Sequence, residues 1–277
     1  MNSPIVRVFR ITAFTGLVLL SFGREARAQT DYYNTDAGRP LTIEDASATE
    51  RYAFELQLAP LRLERTRGGV YQWEVEPELA YGILPRTHLE IGAPLSYRDV
   101  GRGSREAGLG GVSISVLHNF NIETSIPALA LSGDVLIPVG GLAPDEAVFS
   151  AKAIATRTLA WARFHVNSEY TFGPNGSESS STESARAESS RWLAGVAIDR
   201  TFPFRSTLVG AEVFARQDRV IDAETEWNAA LGIRRQLSPT FNVDAGIGKQ
   251  LNGADRSWFA TFGLARAFAI RSLLPGR

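Results

Sequence analysis

The stretch VYQWEVEPELAYGIL, residues 70–84, decides the fold. Its odd positions carry Tyr71, Trp73, Val75, Leu79, Tyr81 and Ile83. Its even positions carry Gln72, Glu74, Glu76, Glu78, Ala80 and Gly82. Alternation of this kind is the period of a β-strand, whose successive side chains point to opposite faces. Wound as a helix, consecutive members of the glutamate series would lie about 200° apart, and no apolar stripe would form. Strands of soluble domains usually run about 5–6 residues, whereas a tilted bilayer-crossing strand needs about 9–11. The stretch has the longer length.

The same pattern recurs along the chain. Residues 88–97, HLEIGAPLSY, set Leu89, Ile91, Ala93, Leu95 and Tyr97 against His88, Glu90, Gly92 and Ser96. FHVNSEYTF at 164–172, WNAALGIRRQL at 227–237 and FNVDAGIGKQL at 241–251 alternate likewise. About twelve such segments can be marked, with starts near 52, 70, 87, 109, 127, 147, 161, 191, 206, 225, 240 and 257, on the template of ten-residue strands separated by turns. Their connections alternate too. One set is tight and often carries proline, as in LPRT (84–87), TSIPA (124–128), FPFR (202–205) and LSPT (237–240). The other is longer and more polar, as in RDVGRGSREAG (98–108) and GPNGSESSSTESARAESS (173–190). Short turns at one end and long polar loops at the other are the habit of outer-membrane barrels.

These features predict an all-β fold: a transmembrane antiparallel β-barrel of about twelve strands, an up-and-down meander over residues 51–268. A closed barrel leaves no unpaired edge in lipid. Its outside is apolar and its lumen polar, so the odd face of the opening stretch turns to lipid and the glutamates turn inward. The reverse register would set three carboxylates against lipid, at up to a few kcal/mol each. A soluble two-sheet sandwich or lipocalin-like cup would alternate as well, with its apolar face inward. Strand length, strand number and loop asymmetry favour the barrel.

Composition bounds the function. The chain has 277 residues, 44% hydrophobic, with a formal net charge of −1, no cysteine and three histidines. Nothing in that balance points to nucleic acid, and thiolate sites are excluded. No cofactor or metal is expected. The N-terminus has Arg7 and Arg10, an apolar run ITAFTGLVLLSF, and Ala26-Arg27-Ala28 before Gln29. This is the layout of a secretory signal peptide cleaved after residue 28. Residues 29–50 lack alternation and read as a periplasmic leader, and residues 269–277 as a C-terminal tail. The last strand, WFATFGLARAF, ends on Phe268, an aromatic that suits recognition by the outer-membrane assembly machinery, although Arg266 interrupts its apolar phase.

Several stretches resemble a known family. AGRPLTIEDASATERYAFELQLAP, WEVEPELAYGILPRTHLEIGAPLSY, GLGGVSISVLHNF and ALSGDVLIPVGG are similar to the outer-membrane proteins of the MetA-pathway of phenol degradation family. The shared motifs are a YG-x-L-P-R-T-x-L-E turn and glycine-rich strand ends. The resemblance implies an outer-membrane barrel carrying small aromatic or hydrophobic solutes, with lipid and solute as its partners. It brings no functional residues with it.

Inward phase gives the lumen candidates. Glu55, Glu74, Glu76, Glu78 and Glu90 come from the first three strands. Arg163, His165, Glu169, Arg234 and Asp244 come from later ones, with Arg157 a further candidate. Opposed acid and base set up a transverse field that orients small polar solutes. Alternatively the two sets pair across the lumen and close it, leaving a structural or surface-interaction barrel. A lipid hydrolase is the least supported reading. His118 is the one histidine in outward phase, Ser115 is not on its face, and no Gly-x-Ser-x-Gly occurs.

Overall fold

The computed structural model describes residues 33–65, 69, 71–99, 105–173, 190–219, 223–253, 256–270 and 273. The signal segment and the loop 174–189 lie outside the described residues, as does nearly all of the tail. The strands are β1 (Ala53–Arg65), β2 (Tyr71–Leu84), β3 (Thr87–Gly92), β4 (Leu95–Asp99), β5 (Arg105–Leu109), β6 (Val112–Asn119) and β7 (Ala128–Ile137). They continue as β8 (Val148–Thr158), β9 (Arg163–Phe172), β10 (Ser190–Phe202), β11 (Thr207–Asp218), β12 (Thr225–Ser238), β13 (Phe241–Gln250) and β14 (Trp258–Ala269).

Every pairing is antiparallel, and β1 pairs with both β2 and β14, so the sheet closes on itself. β3 and β4 both pair with β2 and form one interrupted stave. β5 and β6 form another, against β4 and β3. Fourteen strands thus make a closed barrel of twelve staves, as the alternation predicts. The tight connections at 85–86, 159–162, 203–206 and 239–240 share one end with the start of β1 and the finish of β14. The finish of β4, the connection 138–147 and the finish of β9 lie at the other end.

The register follows from the opening stretch. Tyr71, Trp73 and Leu79 are exposed on the outer face, while Gln72 and Ala80 are buried. The same outward apolar face carries Val166 and Tyr170 on β9, Leu231 and Ile233 on β12 and Phe262 on β14. Aromatics mark its two rims. Trp73 stacks on Tyr97 toward the loop end, and Phe54 stacks on Tyr81 and Phe268 toward the turn end, matching the girdles of barrels in bilayers. Arg266 is exposed on the outer face beside that second rim, where a long cationic side chain reaches the headgroups.

The one large departure concerns the segment before β1. Of the leader read from sequence over residues 29–50, the described residues 33–50 instead run inside the barrel. Leu41 and Ile43 are buried against Leu193, Phe214 and Phe259, and Ala46 against Leu117 and Ile154. The chain circles the inner wall from β14 back to β2. It leaves through a Tyr52 N–H bond to the Gly82 carbonyl.

Candidate functional site

The encircling segment has few apolar groups, so its docking is mostly polar, and the barrel supplies a partner at almost every step. Arg39 is fully buried. Its guanidinium donates to Gln57 at 2.9 Å, Asp244 at 2.8 Å and Asp36 at 2.8 Å. Arg234 adds a contact to Asp36 at 2.9 Å and a bond to the Arg39 carbonyl at 2.9 Å. The Glu212 carboxylate accepts the N–H groups of Thr42 and Ile43, each at 2.8 Å. Asn167 pairs with Glu44 in both directions, accepting its N–H and donating to its carbonyl at 2.9 Å each. Thr156 accepts the Ala46 N–H at 2.9 Å, Asn119 donates to the Ala46 carbonyl at 2.7 Å, and His88 accepts the Thr49 N–H at 3.1 Å. Buried backbone groups need partners. Here side chains of the wall provide what a neighbouring strand would provide in a sheet.

Glycines on the inner face give the segment room. A Cβ at Gly246 would run into the Pro40 carbonyl, one at Gly232 would stand 2.8 Å from the Pro40 ring, and one at Gly82 would collide with the Glu50 carbonyl. Glycine within a strand marks close approach of another backbone. That signal is visible in the sequence, but its cause is not.

The sequence-derived lumen residues divide into two groups. Arg163, His165, Arg234 and Asp244 hold the encircling segment. Arg163 bonds Asp199 at 2.7 Å, faces Asp45 at 3.4 Å and donates to the Tyr33 carbonyl. His165 lies between Thr156 at 3.0 Å and Asp199 at 2.8 Å. That row has the members of a hydroxyl–imidazole–carboxylate relay. However, the Thr156 oxygen already accepts the Ala46 N–H, and His165 is 1% exposed. Arg157 lies off the inward phase and bonds the Thr124 carbonyl at 2.6 Å near a turn. His118 bonds Thr87 at 2.8 Å and packs edge-on to Phe120.

Glu55, Glu74, Glu76, Glu78, Glu90 and Glu169 line a cavity of about 200 Å3 between the encircling segment and the wall. Sequence reasoning missed six charged contributors to it: Asp36 and Glu44 from the segment, Arg62 from β1, Asp134 from β7, Lys152 from β8 and Arg216 from β11. Lys152 bridges Glu44 at 2.8 Å and Glu169 at 3.4 Å. Burial raises the Glu44 carboxyl above its ordinary range despite the opposing pull of Lys152. Two neighbouring acids, Glu169 and Asp36, push it the same way as burial. The cavity is therefore acid-rich, with Lys152, Arg62, Arg216 and Arg234 as its cations.

The family model described as Putative MetA-pathway of phenol degradation matches residues 51–268. The chain belongs to this family. The match begins at the foot of β1 and ends one residue short of the end of β14, so it spans the barrel and leaves out the encircling segment. Among solved structures, an outer membrane channel from Pseudomonas putida F1 is similar at a TM-score of 0.55 and 12% identity. That similarity covers 84% of this chain and 100% of that one. KdgM porin in complex with disordered oligogalacturonate is similar at 0.50 and 7% identity, covering 77% of this chain and 99% of that one. At such identities the likeness is one of fold. No curated protein sequence matches the chain.

Proposed function

We propose that this family member is an outer-membrane channel for small solutes, with a lumen narrowed by its own encircling segment. The observation that carries this reading is the cavity of about 200 Å3 left beside the acidic wall. A void of about 150 Å3 already accommodates a benzene ring, so a single-ring solute has room. The carboxylates favour cations and neutral hydrogen-bond donors over anions. The channel named in the similar Pseudomonas putida structure fits this reading. Within it, residues 1–28 are the secretion signal, the turn end faces the periplasm, and Phe268 serves outer-membrane assembly.

A second reading, a non-conducting structural barrel, is favoured by how firmly the segment is held. Planar-bilayer recording separates the two. The channel reading expects a small, cation-preferring conductance that grows when residues 33–50 are deleted. Silence both before and after deletion would leave the structural barrel standing.

A further inference from the structure

One side of the barrel carries a repeated pattern at its turn end. On β10 the last outward residues run Ile198, Arg200, Phe202. On β12 they run Ile233, Arg235, Leu237, and on β14 Leu264, Arg266, Phe268. Each arginine thus stands on the lipid face with one large apolar residue above it and another below. All three arginines are exposed. They also share a depth. Arg200 lies two residues before the end of β10, and Arg235 and Arg266 lie three before the ends of β12 and β14. Along the ladder Arg200 is level with Val209 and Ile233, and Arg235 with Val243 and Leu264. Each arginine therefore steps two residues toward the turns from the one before it, which offsets the tilt of strands in a barrel.

A cation at the edge of the hydrocarbon needs an anion or water within reach of its head. Among the described residues, none of these three arginines makes an ion pair or a hydrogen bond. Arg200 rests over the Phe202 ring, 5.5 Å from its centroid. The preceding strand of the series, β8, shows a partnered member. Its Arg157, followed by the exposed Leu159, is held by Glu123 at 3.4 Å and by the Thr124 carbonyl at 2.6 Å. The array is also one-sided. Near the ends of β2 and β6, the matching strands of the other half, the outward residues are Tyr81 and His118. A general marker of the interface would run all round the rim, whereas this one covers β10 to β14.

We propose that this face binds phospholipids with a net negative headgroup, such as phosphatidylglycerol, in the periplasmic leaflet. One phosphate sits between Arg200 and Arg235, and a second between Arg235 and Arg266. Alternate strands run about 10 Å apart, a gap that two long side chains close on a shared phosphate. Guanidinium groups grip phosphate oxygens bidentately. The acyl chains lie along β11 and β13. There Val209 and Ala211, and Val243 and Ala245, stand lower than Leu231 and Ile233 of the strand between them. Arg235 serves both sites. The inference goes beyond the channel reading and rests on it only for the turn end facing the periplasm.

Native mass spectrometry of the detergent-purified protein tests this, with dioleoylphosphatidylglycerol, dioleoylphosphatidylethanolamine and lipid A as the probes. The wild type is expected to keep phosphatidylglycerol under collisional activation that strips phosphatidylethanolamine. Arg200→Gln and Arg266→Gln should each weaken one site about fivefold and Arg235→Gln both, the effect of one cation at an anionic lipid surface. Arg157→Gln, which removes an arginine already paired with Glu123, should bind as wild type. Arg235→Lys keeps the charge and should retain most of the binding. Heat-modifiable mobility checks that each variant is assembled. Equal retention of the two phospholipids by the wild type, or undiminished retention of phosphatidylglycerol by Arg235→Gln, would overturn the proposal. An equal loss in Arg157→Gln would overturn it as well, by reducing the effect to overall charge. Lipid A held in preference, and lost in Arg235→Gln, would also overturn it and would turn this end of the barrel to the cell surface. None of these outcomes is read from conductance, so the channel reading fails separately, on silent bilayers.

Discussion

The two sides of the barrel solve the same problem differently. From β8 to β14 many of the inward polar residues hold the chain's own N-terminal segment: Asp244 on Arg39, Glu212 on Thr42 and Ile43, Asn167 on Glu44. From β1 to β3 the inward residues are mostly carboxylates that face the cavity. Both sides began as alternating strands with polar inner faces. The difference teaches that polarity of a lumen face does not by itself say solute path. An inward carboxylate beside an incoming backbone N–H is a structural acceptor, and one that lines the cavity stands where a solute would pass in the proposed channel.

The most damaging change to this division should be Arg39→Leu. It leaves Asp244 and Asp36 each short of a buried cation, and breaking such a pair by removing one partner costs about 3–5 kcal/mol. The cost falls on docking of the segment, not on the ladder of the barrel. The expected outcome is an assembled barrel with protease-sensitive residues 33–52 and a larger conductance. Limited proteolysis followed by bilayer recording checks it, and a segment still protected in the variant would break the comparison.

Next in size is a charge on the outside, where the two sides should not differ. Val75→Arg and Val213→Arg each place a cation on the lipid face, costing about 2–4 kcal/mol near the midplane. Val213 is 40% exposed there. Both variants are expected to lose heat-modifiable mobility in unboiled electrophoresis. Normal assembly of either one would mean that its stave is not lipid-facing.

The smallest effect on stability should come from Glu76→Gln. The amide oxygen still accepts from Ser113, so assembly and melting should match wild type, while cation preference in a salt gradient declines. An unchanged reversal potential would remove Glu76 from the solute path and bring the acidic side closer to the segment-holding one.

The sequence by itself determined what depends on near neighbours. A period of two is a local property, so the outward and inward faces of 70–84, 164–172 and 227–237 were legible, and with them the barrel, its stave number and the asymmetry of its ends. Glu55, Glu74, Glu76, Glu78 and Glu90 could be assigned to the inner face for the same reason. What they meet there could not. Arg39 and Asp244 stand 205 residues apart, and nothing in either local stretch announces the other. The run LTIEDASA at 41–48 read as part of a leader because it lacks the alternation of a strand. Its partners are single side chains scattered over most of the barrel, a pattern with no period to detect. Pro77 and Pro94 are distant in the chain, but only the register of β2 against β3 and β4 brings them side by side in the wall. Tertiary structure decided these points because a closed sheet brings distant positions to the same height, and local periodicity carries no record of which positions those are.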